Sequence, residues 1–368
     1  MSTSCLLVTL MFYIYILAFV IQLIIWVLVF SKLLITKDNK EKHPLSSVTI
    51  IICTKNRVGN LKANLNSILS QDYNPLITFL VDDFSDDETE EYIRFLQQKE
   101  RYLKLYKVKL NNDGKKQALS EAIVKVKTDW ALLTDDDCCP NSSNWVKAMI
   151  SEANRSQSSI VLGYSPYSSD GSFLGKWIHH EAWITGIQYL SYAVSGMPYM
   201  GVGRNILYSM DILKPSHITN HADLKAGDDD LTVNMLAIKD NTSICLSPDS
   251  FVWSSPSESW KDYIKQKKRH YSVSNRYKFK HKVAISAYTM SHIAFYIAIP
   301  GLLLSPYWKM SIVLYIFRLI IIFPIVNKLM RKMESLNSVM IFPIMDILQA
   351  FYYLFFSFAV INPKKSRW

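Results

Sequence analysis

From Met1 to Ser31 the chain carries no charged residue, and Leu6 to Phe30 is almost wholly Leu, Ile, Val, Phe, Tyr and Trp. A helix needs about 20 apolar residues to cross a bilayer, so this run predicts a membrane anchor. A secretory signal peptide would want a charged start, a shorter apolar core and a small-residue cleavage site. Here the start is MSTSC, the core is longer, and Lys32, Lys37 and Lys40 follow. The last third repeats the pattern in Ala287 to Leu304, Ile312 to Val326 and Val339 to Ile361; the first carries Pro300 and the second Arg318. A charge inside a span faces protein or reaches outward. No charge-bearing pair is legible on these segments as a substrate path, and four candidate spans are few for a transporter. Because Lys and Arg favour the cytoplasmic side, the expected topology puts the N-terminus outside and residues 32 to 285 in the cytosol. Three C-terminal helices then run out, back and out. The tail with Lys364, Lys365 and Arg367 falls on the disfavoured side, so one segment is expected to lie in the interface or the short tail escapes the rule.

The formal net charge is +10. The basic residues gather just before the first C-terminal apolar stretch, in SWKDYIKQKKRHYSVSNRYKFKHK. A basic segment with interleaved aromatics beside a span suits anionic lipid headgroups or a pyrophosphate better than nucleic acid. The five cysteines, Cys5, Cys53, Cys138, Cys139 and Cys245, show no CxxC spacing. A zinc site or a disulfide framework is therefore not expected, in keeping with a reducing compartment.

Residues 45 to 275 alternate β-rich runs with helical patterns. Val48 to Cys53 is a continuous apolar run of the buried parallel kind. A helical pattern from Gly59 to Leu69 follows, then ITFLVDD (77 to 83), an acidic helix from Asp86 to Gln98, LKLYKV (103 to 108), GKKQALSEAIVKV (114 to 126) and WALLTDDD (130 to 137). This rhythm predicts an α/β fold with a doubly wound, mostly parallel sheet and helices on both faces. Ligands of such sheets bind beyond the carboxyl ends of the strands, and three of those ends are polar: CTKNR, VDDFSDD and TDDDCCP. One acidic pair is an ordinary turn. Three adjacent carboxylates repel one another, and a divalent cation offsets that repulsion.

The ordered set IIICTKN, VDDFSDD, GKKQAL, LLTDDDCCP, GDDDL and QKKRH resembles the inverting family 2 glycosyltransferases of GT-A fold over residues 46 to 280. It is similar in particular to their membrane branch, which includes ceramide glucosyltransferase and the cellulose, chitin, hyaluronan and poly-N-acetylglucosamine synthases. The resemblance implies that Asp82 and Asp83, with Asn56 and the backbone near Thr54, receive the nucleotide. Arg57 stands where the family often has Glu. Lys115, at the start of a helix, is implied as a donor contact, with free backbone N–H groups beside it. Asp135 and Asp137 match the DxD element, Asp137 as direct metal ligand and Asp135 on the ribose or the metal, for Mg²⁺ or Mn²⁺; Asp136 between them is expected to point elsewhere, since alternate strand residues face opposite ways.

In GDDDLTVNML, Gly227 is expected to open a helix with Asp228 and Asp229 in its first turn, where the macrodipole favours carboxylates. The resemblance makes Asp229 the catalytic base and Asp228 its support. QKKRH matches the element that clamps the donor pyrophosphate through Gln266 and Arg269. His270 replaces its signature Trp, which makes polymer synthesis less expected. Gly201, Gly203 and Asn205 resemble the strand near the acceptor. The HHE run at His179, His180 and Glu181 has its side chains on different helix faces and is not expected to bind zinc. The sequons at Asn141 and Asn241 would lie in the cytosol.

The expected organisation is a transmembrane anchor (1–31), a cytosolic GT-A domain (32–258), a basic amphipathic interface helix (259–284) and a C-terminal membrane region of about three helices (285–368). The expected activity is metal-dependent transfer from a nucleotide sugar, UDP-linked sooner than GDP-linked, to a membrane-associated lipid or growing glycan at the cell membrane. Membrane lipids are the other partner, and nucleic acid is not one. The alternatives are a processive polysaccharide synthase and a non-catalytic nucleotide-sugar-binding subunit of an assembly complex.

Overall fold

The computed structural model describes residues 3–36, 46–100, 102–107, 114–221, 224, 227–335 and 339–361, with side chains from 5 and as far as 357 at the two ends. The tail at 364 to 367 and Lys37 and Lys40 lie outside the described residues. The chain divides into two compact units, Met1–Ile35 with Lys261–Trp368, and Thr36–Trp260.

The second unit is built on a seven-stranded sheet. Its elements run β1 (Val48–Thr54), α2 (Val58–Leu69), β2 (Leu76–Asp82), α3 (Thr89–Gln97), β3 (Leu103–Lys107), α4 (Lys115–Lys125), β4 (Trp130–Asp135), β5 (Cys138–Pro140), α5 (Trp145–Ser156), β6 (Ile160–Gly163), α6 (Phe173–Val194), β7 (Ile206–Ser209), α7 (Pro215–Thr219), α8 (Asp230–Leu236), β8 (Thr242–Cys245) and β9 (Val252–Ser254). The strand order is β3-β2-β1-β4-β7-β6-β8, and β5 pairs with β9 apart from it. β1 runs parallel to β2 and β4, and β2 to β3; β7 is antiparallel to both β4 and β6.

β1 reads VTIIICT and is buried almost throughout, as a strand covered on both faces must be. Val48, Ile50 and Ile52 pack with Leu61, Leu65 and Ile68 of α2, Ile93 of α3 and Trp145 and Met149 of α5. The alternate residue Ile51 looks to the other side, where it shares a cleft with Leu119 of α4. The register sets the chemistry: Thr54 lies opposite Asp82 and Cys53 opposite Asp135. Three polar strand ends are thereby brought to one edge of the sheet.

The first unit consists of α1 (Thr3–Ile24), continued by a π turn and a 3₁₀ turn to Ile35, with α9 (Trp260–Val273), α10 (Phe279–Leu303), α11 (Trp308–Lys332) and α12 (Phe342–Ile361). Cys5–Ile35, Phe279–Leu303 and Trp308–Lys332 are long and apolar enough to cross a bilayer. α12 is apolar but shorter over its described side chains, Phe342–Ser357. The basic stretch does not form one interface helix, because it divides between α9, a 3₁₀ turn at Ser274–Arg276 and the first turns of α10.

Arg318 has a partner that the linear sequence did not disclose. Its Nη1 meets Asp346 Oδ2 of α12 at 2.5 Å and the Tyr296 hydroxyl of α10 at 3.1 Å, and its Nη2 meets Gln22 Oε1 of α1 at 3.1 Å. Arg318 and Asp346 are 0% and 1% exposed. A charge-bearing pair therefore exists on the apolar segments. It joins helices rather than lining an opening, since each polar partner comes from a different helix and all are buried.

Candidate active site

β1 and β2 end in turns that are laced together. Asn56 adopts a left-handed backbone (φ 54°), which an Asn tolerates. Its N–H donates to Ser85 Oγ at 2.9 Å, and its Oδ1 accepts from the Asp86 N–H at 2.8 Å. Asp82 is 1% exposed, and its Oδ1 takes both the N–H and the hydroxyl of Ser85. The sequence treated Asp82 and Asp83 as equivalent nucleotide contacts. Here Asp82 caps the turn from inside, whereas Asp83 is the more open carboxylate, with Lys55 Nζ 3.8 Å away. Burial raises the Asp83 carboxyl above its usual range, and Lys55 opposes the shift.

The acidic turn after β4 separates its three carboxylates. Asp135 meets Lys115 Nζ at 2.6 Å. Asp136 turns toward α2, as the alternation predicts: its Oδ2 accepts from Thr54 Oγ1 at 2.7 Å and its Oδ1 lies 3.4 Å from Asn60 Nδ2. Burial pushes Asp136 up to about 6; the Thr54 hydrogen bond opposes this, and the charges of Asp137 and Asp135 add to it. Asp137 Oδ1 accepts from Ser254 Oγ of β9 at 3.0 Å and from Cys138 Sγ at 3.4 Å. Its other oxygen has no hydrogen bond among the described residues.

Lys115 joins two loops. It opens α4 just after Gly114, whose φ of 67° suits glycine, and no side chain caps that helix start. Its Nζ lies 3.6 Å from Asp228 as well as 2.6 Å from Asp135. Desolvation would lower the Lys115 pKa, but Asp135 and then Asp228 outweigh it and raise the value. Burial raises Asp228 in turn, against the pull of Lys115 and with the charge of Asp229.

Gly227 does not open the helix, and Asp228 and Asp229 do not lie in its first turn. α8 starts at Asp230, Gly227 sits at φ 89°, and Asp229 is the N-cap. Its side chain is held on two sides: Oδ1 accepts the Asp230 N–H at 2.9 Å and Oδ2 the Gly203 N–H at 2.7 Å. The Asp230 N–H is one of the helix-start donors with no partner inside the helix, and the Asp229 carboxylate satisfies it.

Of the three residues expected near the acceptor, only Gly203 reaches this cleft, which Cys53, Lys115, Asp135, Asp228 and Asp229 also line. Gly201 is buried against Ile206, Leu162 and Val233. Asn205 is a core residue, contrary to its expected role: its amide bonds Trp145 Nε1, Tyr164 O and Ser250 O at 2.8–2.9 Å. Gln266, Arg269 and His270 belong to the other unit, and their i, i+3, i+4 spacing puts them on one face of α9. In the HHE run, His179 Nδ1 meets Tyr167 O at 2.7 Å and the His180 ring lies among Trp177 and Trp183. Among the described residues no three His, Cys, Asp or Glu side chains form a metal-holding group.

The family described as "Glycosyl transferase family 2" matches residues 49–214, and "Glycosyl transferase family group 2" matches residues 136–356, more than half of the chain. The chain belongs to the family 2 glycosyltransferases. Among solved structures, the mannosyltransferase PcManGT from Pyrobaculum calidifontis, in complex with GDP-Man and Mn²⁺, is similar over 92% of this chain and 99% of its own at 14% identity, with a TM-score of 0.55. S. aureus TarS 1-349 is similar over 88% of this chain and 92% of its own at 14% identity, with a TM-score of 0.44. The first likeness, with the family match, shows the GT-A fold. No curated protein sequence matches the chain.

Sequence reasoning missed Ser254 and Arg204 as neighbours of the acidic turn. Ser254 is 117 residues from Asp137 and has no motif around it. Arg204 had one signal, a lone cation inside the GVGRN segment.

Proposed function

We propose that this family 2 glycosyltransferase is membrane-bound and inverting, moving a sugar from a nucleotide donor to a membrane-associated lipid or growing glycan. The observation that carries the reading is the meeting of Asp135, Lys115, Asp228 and Asp229 at the sheet edge, around the backbone N–H of Gly203. Asp83 and the Asn56 turn receive the nucleoside, a UDP-sugar sooner than a GDP-sugar. The residues fit a hard divalent cation. Asp135 and Asp137 supply oxygen only, and Asp137 keeps one oxygen open; burial first, and neighbouring carboxylates after it, raise Asp136 and Asp228 beside them. Mg²⁺ or Mn²⁺ needs only one or two carboxylates besides substrate phosphates and water. When bound, such an ion would neutralise charge on the departing diphosphate.

Asp229 takes the proton from the acceptor hydroxyl as its oxygen bonds to the anomeric carbon from the face opposite the diphosphate. The carbon–oxygen bond to the diphosphate breaks, the nucleoside diphosphate leaves with that electron pair, and the sugar is inverted. The N–H groups of Gly203 and Asp230 hold the carboxylate for this transfer, and a carboxylate has lone pairs to spare after accepting both. Lys115 supplies a positive charge beside the diphosphate.

The test is turnover by detergent-purified protein against a panel of UDP- and GDP-sugars with membrane lipid extract and Mn²⁺ or Mg²⁺. Consumption of one donor only with metal, lost in Asp137→Ala and Asp229→Asn while Asp229→Asn still binds nucleotide, supports the reading. Donor binding with no turnover on any acceptor favours a non-catalytic subunit instead. A product of high mass points to polymerisation, and a lipid-soluble one to single transfer.

A further inference from the structure

The loop that holds the candidate base also reaches behind the acidic turn. Gly203 gives its N–H to Asp229, and the next residue, Arg204, turns its side chain the other way into the protein. Its Nη2 donates to Ser165 O at 3.0 Å, and its guanidinium lies 4.1 Å from the centre of the Tyr167 ring. The segment so gripped runs beside β9: Tyr167 is bridged to Ser254, and the Ser254 N–H donates to Pro166 O at 3.1 Å. Ser254 in turn donates its hydroxyl to Asp137 Oδ1 at 3.0 Å.

Arg204 is only 9% exposed, and among the described residues it has no carboxylate partner and no acceptor for its buried Nη1. Burying a guanidinium without a counter-charge is costly. The carboxylates of Asp137 and Asp135 are near enough to act on its charge.

We propose that Arg204 is a positioning residue for the metal-binding carboxylate Asp137, acting through Tyr167 and Ser254. On this reading the Gly203–Arg204 pair ties the base and the metal ligand to one loop, so that the two keep a constant spacing. The inference rests on the function proposed above and adds a residue to that site.

The experiment is Mn²⁺ binding to full-length protein in detergent, with and without UDP, followed by the free-ion electron paramagnetic resonance signal. The variants are Arg204→Lys, Ser254→Ala and the double variant. Arg204→Lys keeps the charge but lacks the planar fork and the stacking face. We expect each single variant to weaken Mn²⁺ binding about tenfold, the size of an effect made through a ligand's neighbour, and the double variant to be no weaker than the worse single one. Unchanged Mn²⁺ affinity in Arg204→Lys, or single effects that multiply in the double variant, overturns the proposal. If Arg204→Lys does not fold, Tyr167→Leu removes the stacking face and decides by the same readout. A wild-type protein that binds Mn²⁺ but consumes no nucleotide sugar counts against the proposed function, while the Mn²⁺ titration still decides Arg204. A wild-type protein that binds no Mn²⁺ overturns both.

Discussion

Gly203→Ala places a methyl group against the candidate base. A Cβ built there lies 3.0 Å from Asp229 Oδ2 and 3.1 Å from Asp229 Cβ, where ordinary contacts are 3.4–4 Å. Asp229 or the loop must therefore give way by about 0.5 Å. The carboxylate cannot retreat freely, because Oδ2 is tied to the N–H of the same residue at 2.7 Å. Misplacing a reacting group by 1 Å costs about a hundredfold in rate, so half that distance costs about tenfold, or about 1.4 kcal/mol in the barrier. The assay is steady-state transfer, with Asp229→Asn as the baseline. Gly201→Ala is the control, since its Cβ would meet only side-chain methyls, Ile206 Cδ1 at 2.8 Å and Leu162 Cδ2 at 3.0 Å. That variant is expected to lose about 1–3 kcal/mol of stability through overpacking and to keep its kcat. Wild-type kcat in Gly203→Ala, or the same profile in both variants, refutes the argument.

Removing the base in Asp229→Asn should lower kcat by a factor of about 10²–10⁴ with nucleotide affinity retained, read by turnover beside a binding titration. Asp136 titrates at about 6 when folded against 3.8 in its ordinary state, so the folded protein holds the extra proton and stability falls as pH rises through that window. The full shift is worth about 3 kcal/mol, and its partial exposure reduces this to about 2; metal-free Asp136→Asn should match wild type near pH 4 and exceed it by that amount at pH 7 in denaturant unfolding. Arg318→Leu leaves Asp346 buried without its partner and should cost about 3–5 kcal/mol in detergent-monitored thermal unfolding. Arg318→Leu with Asp346→Leu should recover more than half of that loss, and a double variant no better than the single one argues against the ion pair.

The sequence alone determined what depends on neighbours along the chain. Period and apolarity marked β1, β2 and β4 and the helices between them, and the charge-free run from Met1 announced a helix long enough to span. Position at the end of a strand was enough to draw attention to the TDDD run, because the end of a buried strand emerges at the edge where ligands meet a doubly wound sheet; choosing Asp135 and Asp137 within it rested on the family resemblance. Alternation was enough to turn Asp136 away from its neighbours. What it left open were choices made between residues far apart. Only packing decided that Asp82 is sealed by Ser85, that Asn205 serves the core, that α8 waits until Asp230, and that Arg318 finds Asp346 28 residues on. A hydrogen-bonding group carries no mark of its partner in the linear chain; the partner is whichever group the folded backbone brings within about 3 Å and shields from water.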